Sequence, residues 1–295
     1  MAIERVAVLG GGQMGSGIAE AIATAGIEVT LIKATPGPAD QARAGIAKNL
    51  DRQVDKGKIA REHAEQVIGR ITFTDRLEAA AGADLLIESV IEDIEVKRRY
   101  FAEAAKFLGP QAIVASNTST LRIGDMAPAS GRPERFLGLH FFNPAQIMKL
   151  VEVVPSASTD AEVTAEAVSF VERIGKTPVL VKDSTGFIVN RLLTPYMVDA
   201  IRCLEAGLAD VAGIDTAMHL GANHPMGPLA LADYIGLDIV QAMARNLLES
   251  FGQDYMGPTP LLDRMVAAGM LGRKSGRGFY DYSGRPPRPN PDLPL

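Results

Sequence analysis

Apolar residues fall into two different rhythms along this chain, and the rhythm changes once. Arg5-Val6-Ala7-Val8-Leu9 is a short continuous apolar run, the pattern of a strand covered on both faces in a parallel sheet. A glycine cluster follows, then an alanine-rich helical pattern from Ile18 to Ala25 that Gly26 stops. Glu28-Val29-Thr30-Leu31-Ile32 reads as a second strand and completes a βαβ unit. Further strand runs occupy 84–88, 112–116, 136–140, 150–154 and 178–181, with helical patterns at 36–56, 60–68, 94–108 and 160–174 between them. This alternation predicts an α/β domain with a Rossmann-type doubly wound sheet over 1–185. Beyond it only helical patterns remain, broken by Gly and Pro at 221–228, so an all-α C-terminal domain is expected over 186–283. A Pro-rich tail over 284–295 is expected to be extended or disordered.

Composition changes that picture little. At 295 residues, 47% hydrophobic and 22% charged, the chain has room for two domains and a sizeable core. A net charge of -5 gives no overall polyanion-binding surface, and no nucleic acid partner is expected. No apolar run approaches the ~20 residues of a membrane span, so no membrane association is expected. The first strand begins by Arg5, leaving no room for a signal peptide, and a cytoplasmic location follows as an expectation. The single cysteine, Cys203, excludes an internal disulfide and reads as buried apolar filler.

Candidate chemistry begins at Gly10-Gly11-Gly12-Gln13-Met14-Gly15, which matches G-x-G-x-x-G directly after a strand and before a helix. Gly10 permits the tight turn, Gly12 lets backbone approach a pyrophosphate, and Gly15 allows close helix–strand packing. A nicotinamide dinucleotide is the expected cofactor. Its adenosine ribose is usually held by an acidic residue at the end of the second strand, but here that place holds Lys33. A lysine cannot accept a hydrogen bond and can pair with a 2′-phosphate, which tilts the reading toward NADP(H); the alternative is NAD(H) bound with one contact fewer.

Ser116-Asn117-Thr118-Ser119-Thr120 and His140-Phe141-Phe142-Asn143-Pro144 each close an apolar strand, where an open α/β sheet holds its ligands. Ser119 and His140 can therefore share one cleft. Hydride loss from a secondary alcohol needs a base for the hydroxyl proton, and histidine suits that near neutral pH. Glu152, in the apolar run that follows, is the candidate carboxylate to orient the imidazole.

Taken in order, these segments resemble the 3-hydroxyacyl-CoA dehydrogenase family, its short-chain 3-hydroxybutyryl-CoA members included. The likeness spans nearly the whole chain: Val8 to Gly17, Ser116 to Thr120, His140 to Pro144 with Met148 to Glu152, Gly186 to Arg191, His224 to Pro228 and Gly276 to Tyr280. The resemblance implies His140 as general acid/base, Glu152 as its partner, and Ser119 and Asn190 on the reacting oxygen. It puts Glu92 and Lys97 near the nicotinamide ribose, adds Asn117 and Asn143 with Gln13 and Met14 to the cofactor site, and assigns Arg52, Lys56 and Lys58 to the CoA phosphates. No metal is expected. Lys33 departs from the family, which usually has Asp there. A homodimer through the helical domain and a place in fatty acid metabolism are further implications.

Two rival readings remain at this level. The same chemistry could act on an acyl-carrier-protein thioester or a free hydroxy acid. A catalytically silent cofactor-binding protein of this fold is the other, against which the intact Ser119, His140, Glu152 and Asn190 argue.

Overall fold

Short runs rich in Val, Ile and Leu form the strands expected of them, because side chains on both faces find apolar cover. The computed structural model describes residues 3–35, 37 and 39–295. The chain divides into two compact units, one ending at Ser184 and the other beginning at Thr185.

The first unit runs β1 (Arg5–Leu9), α1 (Gln13–Thr24), β2 (Glu28–Ile32), α2 (Asp40–Asp55), α3 (Arg61–Gly69), β3 (Ile71–Thr74), β4 (Leu85–Glu88) and α4 (Ile94–Ala104). It continues through β5 (Ile113–Ser116), α5 (Ile123–Met126), β6 (Phe136–Phe141), β7 (Leu150–Pro155), α6 (Ala161–Arg173) and β8 (Thr177–Leu180). The eight strands form one sheet in the order β3-β2-β1-β4-β5-β6-β7-β8. Pairing is parallel except between β6 and β7, where the direction reverses. Strand order switches between β1 and β4, and in such sheets the ligand crevice opens above that point, beyond the carboxyl ends of the strands.

Several expectations need correction. The first helix starts at Gln13 and not at Ile18, because the glycine loop itself winds into the first turn. The pattern at 94–108 is helical only to Ala104, and the one at 36–56 begins at Asp40, with positions 36 and 38 outside the described residues. Strand β3 was not foreseen: Ile71-Thr72-Phe73-Thr74 is a four-residue edge strand with only Ile71 buried, too short and too polar to stand out. Strand β8 is also an edge and half exposed, a place where Pro178 costs no ladder bond.

The second unit packs α7 (Val189–Glu205), α8 (Val211–Gly221), α9 (Pro228–Ile235), α10 (Leu237–Phe251) and α11 (Pro260–Ala267) around Met197, Ile201, Leu229, Val240 and Leu261. Two buried carboxylates pin its loops. Asp215 accepts from the Leu229 and Ala230 N–H groups at the start of α9 (2.8 and 2.9 Å) and from the Tyr280 hydroxyl (2.8 Å). Asp233 accepts from the Phe279 and Tyr280 N–H groups (both 2.9 Å) and from the Tyr282 hydroxyl (3.0 Å).

The unit is not purely helical. β9 (Tyr280–Asp281) pairs antiparallel with β10 (Arg288–Pro289). The tail is extended as expected but docked, not disordered: Asn290 is buried and donates to the Gly278 carbonyl (2.8 Å), and Arg264 reaches the Pro294 carbonyl (2.7 Å). Cys203 is half-buried against the helical core, less enclosed than expected. Among the described residues no helix is long and apolar enough to cross a membrane.

Candidate active site

The glycine loop is shaped by its neighbours. Gly10 has φ +122°, a conformation L side chains rarely adopt, and a Cβ there would overlap the Ser89 carbonyl after β4. A Cβ at Gly15 would overlap the Gly10 carbonyl. Gly12 is different: nothing lies within 4 Å of where its Cβ would be. It is also the N-cap of α1, and no side chain caps that helix. The first-turn N–H groups thus face open space beside a bare backbone, a cradle that fits a pyrophosphate. Met14 is half-buried and packs on the core beneath. Lys33, one residue past β2, runs its stem beside this turn, since a Cβ on Gly11 would meet Lys33 Cβ and Cγ at 3.7 Å.

The antiparallel register of β6 and β7 sets His140 directly opposite Glu152, so both side chains project from the same face. His140 Nδ1 lies 2.7 Å from Glu152 Oε2, with the residues 5% and 1% exposed. A buried carboxylate this close offsets an imidazolium and selects the tautomer protonated at Nδ1. The Phe142 ring stands 4.4 Å from the imidazole.

This pair shares a rim with the glycine loop. Gln13, first residue of α1, donates from Nε2 to Asn143 Oδ1 (3.0 Å), two residues beyond β6. The β6–β7 connection rests on α1 so closely that a Cβ at Gly17 would press on Gln146 and Ala145. Lys176, at the start of β8's approach, fixes that connection from below: its buried ammonium donates to the Ala145 and Met148 carbonyls (2.6 and 2.7 Å). Burial, with the Lys149 charge nearby, holds the Lys176 ammonium below the usual lysine range.

The Ser116–Thr120 loop is gripped by Glu92. Its Oε1 accepts from Thr118 Oγ1 (2.6 Å), the Ser119 N–H (2.8 Å), the Thr120 N–H (3.1 Å) and Thr120 Oγ1 (3.1 Å). Burial would raise this carboxyl, but the Lys97 charge and the bonds from Thr118, Ser119 and Lys97 outweigh it and hold Glu92 below the usual range. The resemblance puts Lys97 beside the cofactor ribose. Here Lys97 is 1% exposed, with its Nζ 2.6 Å from Glu88 Oε1 and 3.2 Å from Glu92 Oε2. Asn117 likewise spans the wall: its Oδ1 accepts from the Phe141 N–H (2.8 Å) and its Nδ2 donates to Ser89 Oγ (3.2 Å).

Glu88 and Lys176 escaped the sequence reading. A carboxylate closing Leu85-Leu86-Ile87-Glu88 was a usable signal for the first, of the same kind that singled out Glu152. Four candidates remain, three at or just beyond the end of α2 and one in the second unit. Arg52 and Lys56 are exposed one turn apart where α2 ends, with exposed Lys58 two residues on. Asn190 belongs to the second unit, in the first turn of α7.

Residues 5–184 match the 3-hydroxyacyl-CoA dehydrogenase NAD-binding domain, and residues 186–282 match the C-terminal domain of the same family. A 3-hydroxybutyryl-CoA dehydrogenase of Mycobacterium tuberculosis is 46% identical over 95% of this chain and 99% of its own length. The human mitochondrial hydroxyacyl-coenzyme A dehydrogenase is 42% identical over 95% of this chain and 91% of its own. The crystal structure of an (S)-3-hydroxybutyryl-CoA dehydrogenase from Ralstonia eutropha superposes with a TM-score of 0.93 at 38% identity, covering 96% of this chain and all of that one (100%). With both domains present in order and at these identities, the chain belongs to the 3-hydroxyacyl-CoA dehydrogenase family.

Proposed function

We propose that this oxidoreductase interconverts a 3-hydroxyacyl-CoA and its 3-oxoacyl form, with a short acyl chain as in its 3-hydroxybutyryl-CoA relatives. The observation that carries this reading is the His140–Glu152 pair at 2.7 Å, on the rim where Gln13 of the glycine loop meets Asn143. The nicotinamide cofactor, when bound, exchanges a hydride with the 3-carbon. His140 takes the hydroxyl proton in the oxidative direction and returns it in the reductive one. Glu152 keeps the Nδ1 proton toward itself and offsets the charge that grows on the ring, a contribution made in the transition state. Ser119 and Asn190 hold the reacting oxygen. Gly10, Gly12 and Gly15 with the first turn of α1 take the pyrophosphate; Glu92, Lys97, Asn117 and Asn143 form the nicotinamide side. Arg52, Lys56 and Lys58 attract the CoA phosphates.

Lys33 favours NADP(H), because its stem runs beside the glycine turn and its cation suits a 2′-phosphate better than a bare ribose. The second unit carries the surface of a homodimer: Leu192, Leu208 and Leu220 are about 70% exposed or more (69%, 75% and 74%) on its helices and turns. Light scattering checks the dimer.

A spectrophotometric assay with acetoacetyl-CoA, run with NADH and NADPH in parallel, tests the whole reading. Cofactor oxidation on the CoA thioester, faster than on the acyl-carrier-protein thioester or free acetoacetate, supports it. Tight cofactor binding with no turnover on any thioester favours a silent binding protein and overturns it.

A further inference from the structure

The first unit holds a charge relay whose innermost member, Glu88, has no part in the proposed chemistry. Glu88, the last residue of β4, is 0% exposed and accepts three bonds: from Lys97 Nζ (2.6 Å), the Val90 N–H (2.6 Å) and Ser116 Oγ (2.7 Å). Lys97 passes from Glu88 to the other carboxylate, Glu92, whose Oε1 collects the donors of Thr118, Ser119 and Thr120. Two carboxylates around one ammonium leave one excess negative charge, which the loop donors share. The division of labour is geometric: Glu88 fixes the ammonium from within the sheet, which leaves the outer carboxylate oxygen to the loop.

We infer that Glu88 is a positioning residue for the reaction: it anchors Lys97 and through it seats Glu92, so that the loop presents Ser119 at a fixed place on the crevice wall. The inference rests on the reading in which Ser119 meets the reacting oxygen. Replacing Glu88 by Gln removes the charge and keeps the shape. The Ser116 hydroxyl can turn from donor to acceptor, so the amide is accommodated. Lys97 then has Glu92 as its one carboxylate. The attraction between them, undivided, draws both Glu92 oxygens to the ammonium and away from Ser119. A shift of the order of an ångström at a positioning group costs about 10- to 100-fold in rate.

The experiment is a double-mutant cycle on the full chain with acetoacetyl-CoA and its preferred reduced cofactor. Glu88→Gln, folded by circular dichroism, is expected to lower kcat about 10- to 100-fold, a larger effect than the rise in cofactor KM that follows from displacing Glu92 and Lys97. Ser119→Ala is expected to lower kcat comparably, and the double variant to be no slower than Ser119→Ala alone, because Glu88 acts through Ser119. A wild-type kcat in Glu88→Gln, or losses that multiply in the double variant, overturns the relay. An unchanged kcat in Ser119→Ala overturns the Ser119 assignment itself, a separate failure. If Glu88→Gln does not fold, Glu92→Gln enters the same cycle from the exposed end of the relay, with the same non-additivity expected and multiplied losses overturning it.

Discussion

A histidine and a glutamate that sit opposite each other on antiparallel strands need no loop to bring them together, and the strand ladder holds their spacing. That rigidity is what a general base requires, since its proton partner must lie within hydrogen-bond reach. His140→Gln keeps a polar side chain of similar size but no basic nitrogen. It is expected to lower kcat by about 10²–10⁴-fold with folding intact by circular dichroism; unchanged turnover removes His140 from the role. Lys33 offers a second test at this scale. Lys33→Asp replaces a cation beside the glycine turn with the acceptor that an adenosine ribose uses. The ratio of kcat/KM with NADPH to that with NADH is expected to fall at least about tenfold, the effect of one charge-assisted contact. A ratio that does not move overturns the NADP(H) reading of Lys33.

At the scale of elements, the glycines of the β1–α1 turn separate two kinds of demand. Gly15 faces the Gly10 carbonyl, so Gly15→Ala overpacks the turn and is expected to cost about 1–3 kcal/mol of stability along with cofactor affinity. Gly12 faces open space, so Gly12→Ala is expected to keep the melting temperature while its methyl group obstructs the anion and weakens NAD(P)H binding about tenfold or more. Thermal melts and fluorescence titration of both variants check the contrast; equal melting losses would contradict it. The glycine turn was legible in the sequence because its signal is local: a strand, three spaced glycines and a helix in one stretch. The same holds for β1, β2 and β4 to β7, whose apolar runs carry their own evidence of burial, and β8 was legible from its apolar run although it lies at an exposed edge. Glu152 was legible as a carboxylate inside such a run. What escaped was tertiary. Glu88 has meaning only beside Lys97, Lys176 only beneath the β6–β7 connection, and Asp233 only against the backbone of Phe279 and Tyr280, contacts that join residues 9 to 47 positions apart. Strand β3 escaped for a different reason: an edge position leaves its alternation shallow.

Across the whole molecule, charge is buried in both units, and its titration shapes stability. In the first unit the contributions oppose each other. Burial raises Glu20, partly offset by Asn49 and Gln53, whereas Glu92 is held low, so acidification favours folding through one and disfavours it through the other. In the second unit Asp233 stands out. Burial pushes its carboxyl from 3.8 to about 6, with Asp215 adding to the rise and the donors of Phe279, Tyr280 and Tyr282 resisting it. The folded carboxyl therefore holds its proton more tightly than the unfolded one. Its contribution to stability is complete below about pH 3.8 and is lost as pH climbs through about 6. Between pH 7 and pH 5 this one group is expected to add about 1 kcal/mol, or roughly 2 °C in melting temperature for a chain of this size. Asp233→Asn isolates it. The amide must turn a donor toward an N–H or hydroxyl that the carboxylate accepted, so the variant is expected to be less stable at every pH. Because the amide does not titrate, the gap between wild type and variant is expected to be wider at pH 5 than at pH 7. Melting both proteins across that range reads the gap directly, and a gap that is constant or narrows toward pH 5 would show that Asp233 is ionised throughout, held so by its three donors.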